Sequence, residues 1–131
     1  MLSLTLSISL LIAQGPSSNS LLGTWHGTSI CMDKKVDTAC KDEIVVYDVD
    51  TVGVKAKGNV MMHAYKIVNK EKDWMGDQEL THDAKSDTWW GDYTGRRGAI
   101  RWRFAVTGPE MNGTLVELPS MRMIRKVEVK R

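Results

Sequence analysis

Neither Asp, Glu, Lys nor Arg occurs in residues 1 to 32, while the other 99 residues hold all 34 of them. Within that uncharged start, Leu2 to Ala13 is apolar apart from Ser and Thr. It matches the h-region of a secretory signal and falls short of the roughly 20 residues a membrane-spanning helix needs. Residues 1–13 are therefore read as a signal peptide cleaved after Ala13, and 14–20 as a flexible N-terminal segment. The mature protein is expected to be periplasmic or secreted, with no membrane span. A strong excess of either charge is also missing: 18 basic side chains face 16 acidic ones. So near a balance offers no sequence-independent hold on nucleic acid.

Cysteine is scarce. Cys31 and Cys40 are the only two, and in an exported chain the economical reading is one disulfide. A zinc cage would need two further ligands beside them, whereas His26, His63 and His82 are scattered singly, so no metal and no cofactor are expected. Glycine-rich phosphate loops, His pairs at helical spacing and nucleophile-elbow serines are likewise absent. The nearest thing to an acid–base pair, His82-Asp83, joins neighbours that point to opposite faces of a strand. No catalytic residue is assigned, and the chain is read as a non-enzyme. Asn112-Gly113-Thr114 has the form of a glycosylation acceptor, with Gly113 expected to serve a hairpin.

From Gly23 onward, period-two patterning and turn signals dominate. Eight strands are expected, over 23–31, 43–50, 54–68, 74–82, 88–94, 99–107, 111–118 and 121–130. Turn chemistry lies between them, as at Asp50 to Gly53, Asn69 to Asp73 and Gly108-Pro109. Residues 61–72 are rich in helix formers, but the punctuation at Asn69-Lys70 favours a strand running into a hairpin. Ile100, Trp102, Phe104 and Val106 alternate with Ala99, Arg101, Arg103 and Ala105. The aromatic face should be inward, because unpartnered guanidinium groups are expensive to bury. Trp74, Gly76, Gln78, Leu80 and His82 share one face of the fourth strand, and Met121, Met123, Val127 and Val129 one face of the eighth. In the second strand both Ile44/Val46 and Val45/Tyr47/Val49 are apolar, and the pattern does not choose between them.

Short connections force antiparallel neighbours, and closing the sheet removes its exposed edges. The expected fold is all-β, an eight-stranded antiparallel up-and-down barrel over residues 21–131 without a C-terminal helix. Gly23-Thr24-Trp25, opening the first strand after Leu21-Leu22, resembles the Gly-x-Trp signature of the lipocalins and the wider calycin superfamily. The stretch through Cys31, Cys40, Asp42-Glu43 and Val45-Val46-Tyr47 is similar to small secreted bacterial lipocalin-like proteins. The resemblance implies that Trp25 closes one end of the barrel, with Gly23 beside it and a basic residue from near the last strand, Arg125 first and Arg122 second, packed across the ring. A lipocalin usually carries a late Thr-Asp-Tyr motif and a helix after the last strand. Asp92-Tyr93 is a partial match in another hairpin and the chain ends in a strand; the mature length, short for a lipocalin, argues for less room inside.

An eight-stranded barrel is either filled by side chains or holds one small ligand. The candidate lining for a small apolar ligand is Trp89, Tyr93, Trp102, Phe104, Met61 and Met62, with Met adapting to shape and Tyr or Trp supplying polar contacts. Two alternatives stand beside it. One is a protease-inhibitor-like barrel that engages a protein partner through Gln14 to Ser20; the other is a structural module with a packed interior.

Overall fold

The computed structural model describes residues 20–35, 38–95 and 98–131. Eight strands follow one another: β1 Gly23–Cys31, β2 Glu43–Asp50, β3 Val60–Val68, β4 Glu71–Asp83, β5 Thr88–Gly95, β6 Gly98–Thr107, β7 Glu110–Glu117 and β8 Met123–Lys130. Each pairs antiparallel with the next, and β8 returns to β1, giving a closed up-and-down barrel in the order β1 to β8. The expected architecture is what the chain adopts. The segments assigned to a signal peptide and to most of the flexible tail, 1–13 and 14–19, lie outside the described residues.

Two strand boundaries differ from the expectation by three residues or more. The third strand starts at Val60 rather than at residue 54, because positive φ at Gly53 and Gly58 makes 51–59 a turn-rich connection. The fourth is longer than 74–82 and begins at Glu71, since Asn69 and Lys70, both at positive φ, close the β3–β4 hairpin in two residues. The helix-forming residues of 61–72 are thus strand and hairpin.

Alternation sets the core. Val45, Tyr47 and Val49 belong to the core; on the other face Ile44 is 61% exposed and Val46, though covered, lies outside the core cluster, which settles the choice left open in β2. Phe104 is fully buried, stacked on Trp102 with ring centroids 5.7 Å apart and edge-on to Tyr47 at 6.1 Å. On the outer face of β6, Arg101 donates to both oxygens of Asp92 at 2.7 and 2.9 Å, and Arg103 donates to Thr88 at 2.6 Å. The guanidinium groups are outside and partnered, as the cost of burying them demands. Gly113 belongs to the middle of β7, not to a hairpin: a Cβ there would sit 2.4 Å from the Phe104 ring.

Two irregularities break the simple parity. Between β3 and β4 the register slips at Ala64/Tyr65, so Ala64 faces Gly76 and Tyr65 faces Trp74, leaving Met75 as an extra residue. Trp74 therefore leaves the face of Gly76, Gln78 and Leu80. It lies on the outside, 62% exposed, its indole N–H donating to Asp77 at 2.9 Å. A second slip at Leu115/Val116 skips Ile124: Arg125 keeps the parity of Val127 and Val129 and faces inward, while past the slip Met121 and Met123 are exposed instead of sharing that face.

One seam is thin. β4 and β5 pair through Thr81–Trp90, His82–Trp89 and Asp83–Thr88 alone, whereas every other seam carries at least six pairs. Beyond Thr81, the Gln78 amide reaches across to the Asp92 carbonyl at 3.5 Å and also donates to Glu79 O at 3.0 Å.

Candidate functional site

The two ends of the barrel are built differently. At one end Trp25 is fully buried, its indole donating to Leu21 O at 2.9 Å. The cation over its ring is Arg131, 4.6 Å from the centroid. Arg131 also donates to Ser20 O, Leu22 O and Gly108 O, latching the lead-in and the β6–β7 turn over the closed end. The expected partner, Arg125, is elsewhere: it pairs in register with Cys31, six residues beyond Trp25 along β1. Arg122 is bound at that same far end to Glu117 at 2.7 Å and to Asp33. The correction follows from chain direction: β8 runs antiparallel to β1, so only its last residues come level with Trp25.

The other end holds a cavity of about 360 Å³. Its apolar side is made by Tyr47, Met62, Ala64, Ile100 and Trp102, with Met75 and Tyr93 toward the rim. Of the six residues expected to line a pocket, Met62, Tyr93 and Trp102 do so. Phe104 lies beneath Trp102, buried in the core and backing the wall. Trp89 packs against the core and meets His82 at 4.9 Å, near the three-pair seam, and is not part of the lining. Met61 is on the outer face: on an unbroken stretch of β3 it cannot share a side with Met62, which is 1% exposed.

The polar side was not recognised as a lining from sequence. Arg125 donates to Ser29 Oγ at 3.2 Å, Ser29 O at 3.4 Å and Lys41 O at 3.0 Å, and pairs with Glu43 at 2.9 Å. Its side chain and that of Glu43 are only 15% and 22% exposed. Burial pushes the Tyr47 phenol well above its usual pKa, so it stays a neutral hydroxyl. The signal was present in the parity of the strands: Ser29 shares a face with Trp25, Glu43 with Tyr47, and Arg125 with Val127 and Val129. A charged residue on an apolar face marks a built polar site or a strand end, and here it is both.

The β1–β2 connection over this end is pinned. Cys31 and Cys40 form the expected disulfide, Cα atoms 5.9 Å apart. Cys31 N donates to Asp42 at 3.0 Å and Lys34 pairs with the same carboxylate at 2.9 Å. The Lys34 bond, aided by the Cys31 amide, holds Asp42 below the usual carboxylate range.

Beside the cavity, on the outer face, His63 joins three strands. Its Nδ1 lies 2.8 Å from Asp77 of β4 and its Nε2 2.8 Å from Asp50 of β2. Only an imidazolium donates at both nitrogens. Burial opposes that charge, but the bonds to Asp77 and Asp50 outweigh it and raise the pKa above the ordinary histidine value. His82, the other histidine considered for acid–base work, bonds Asp87 at 2.9 Å, while Asp83 caps the Lys85 amide at 3.1 Å. Among the described residues no cluster of His, Cys, Asp and Glu is arranged to hold a metal, and no helix is long and apolar enough to cross a membrane. No family model, curated protein or solved structure matches this chain.

Proposed function

We propose that this is an exported, lipocalin-like barrel that binds one small, largely apolar molecule in the cavity at the end opposite Trp25. The observation that carries the reading is the cavity itself. About 360 Å³ bounded by Tyr47, Met62, Tyr93, Ile100 and Trp102 is within the range of small-molecule sites, with a few convergent polar groups on one side. A barrel serving only as a packed module would fill this half as completely as Phe104, Leu80 and Met111 fill the other. The kinship with lipocalins is supported by Trp25 at the closed end with a cation over its ring. Export is supported by the Cys31–Cys40 disulfide, a bond that persists in oxidising compartments.

Titration of the purified protein with the uncharged probe N-phenyl-1-naphthylamine tests this. Saturable one-to-one binding is expected, with quenching of Trp102. Replacing Ala64 by Leu, which places three more carbons in the cavity, is expected to weaken binding by about tenfold or more without unfolding the barrel. Non-saturating fluorescence, or equal affinity in the Ala64→Leu protein, refutes the reading. Native mass spectrometry adds an independent check through any co-purified molecule.

A further inference from the structure

The charges that line the cavity carry information about what it accepts. Three formally charged residues contribute to its wall: Arg125 and Glu43 with their side chains, and Asp77, whose carboxylate is turned to the outer face. Each is already answered. Arg125 and Glu43 neutralise one another at 2.9 Å, and the two Nη atoms of the guanidinium also donate to Ser29 and the Lys41 carbonyl. Asp77 holds His63 at 2.8 Å and the Trp74 indole at 2.9 Å. The other polar groups facing inward are neutral: Ser29, 2% exposed, the Tyr47 hydroxyl and the Gln78 amide.

An ion drawn into such a space gives up its hydration and finds no unpaired opposite charge. To gain one it must break the Arg125–Glu43 pair and leave the displaced member buried. A neutral amide, hydroxyl or carbonyl meets no such penalty, since hydroxyl and amide groups donate and accept as the partner requires. Opposite them, the Trp102 ring is held by its stack on Phe104, interplanar angle 10°, which makes a rigid flat wall suited to another ring.

We infer that the cavity selects uncharged, ring-bearing molecules with a neutral hydrogen-bonding group, and that Glu43 sets this preference by cancelling the charge of Arg125. The inference rests on the pocket reading above and adds to it a ligand class and a specificity residue.

Four probes sharing one ring system test it: naphthalene, 2-naphthamide, 2-naphthoate and 2-(aminomethyl)naphthalene as its ammonium ion. At neutral pH 2-naphthamide is expected to bind at least about tenfold tighter than either ion, the scale set by stranding a charge. In Glu43→Gln, whose side chain keeps its shape and loses its charge, Arg125 is uncompensated. The 2-naphthoate to 2-naphthamide affinity ratio is expected to rise about tenfold or more, while naphthalene is unchanged. If either ion matches the amide on the native protein, the inference is overturned with the pocket intact. If the ratio is unmoved in a folded Glu43→Gln protein, the role of Glu43 is overturned. Failure of all four probes, naphthalene included, removes the pocket reading and the inference with it.

Discussion

Phe104 and Gly113 show how one side chain depends on the absence of another. Phe104 is wholly buried between Tyr47 and Trp102, and it occupies the space that a Cβ at Gly113 would claim. Phe104→Ala is expected to cost about 3–5 kcal/mol in urea unfolding. Gly113→Ala is expected to cost about 1–3 kcal/mol through overpacking. The two are expected not to add, because removing the ring empties the space the new methyl needs; a double-mutant cycle reads this directly. His63 supplies a second prediction, in pH. Its folded pKa is raised, so its contribution to stability is complete at pH below the unfolded histidine value. That contribution is lost as pH rises through the higher folded value, where the neutral ring can donate to only one of Asp50 and Asp77. Unfolding free energies measured across this window should fall for the native protein and stay flatter for His63→Gln. The opposite slope would mean that the imidazolium is not the bridging species.

At the scale of elements, strands were legible wherever alternation ran unbroken, as in β6. There, inward Trp102 and Phe104 contrast with the guanidinium groups of Arg101 and Arg103. Legibility failed at the two slips in register. Trp74 reads as inward by counting in twos from Leu80, and only the extra residue at Met75 turns it out; nothing in the composition of 74–76 announces that step. A different limit hid the polar side of the cavity: parity turns Ser29, Glu43 and Arg125 inward one by one, but they meet only because β1 is flanked by both β2 and β8. The β1–β2 connection is an element with a testable role. Replacing Cys31 and Cys40 together by Ser is expected to lower stability by about 2–3 kcal/mol, as for a short closed loop. Since Lys41 O in this loop receives Arg125, the same variant should bind 2-naphthamide more weakly even at temperatures where it is fully folded; unchanged affinity would show that the loop does not hold the polar wall.

For the whole molecule, closure removes free sheet edges and ties the first and last strands together, so the barrel should unfold in a single transition. Arg131 completes that closure at the Trp25 end, and shortening it to Ala is expected to lower the thermal midpoint by a few degrees, in proportion to about 1–2 kcal/mol. Probe binding at the opposite end should be untouched, a separation that follows from the distance between them along β1. The cylinder is nevertheless stitched unevenly. Where the β4–β5 ladder stops at Thr81, thermal breathing will concentrate, and those amides of Trp74 to Leu80 that are not bonded to β3 should exchange with solvent sooner than the amides of β6 or β7. On the pocket reading proposed above, a wall with one weakly paired line offers a guest a side door as well as a rim, and stapling β4 to β5 there would slow arrival and departure alike, leaving affinity where it was while lengthening residence.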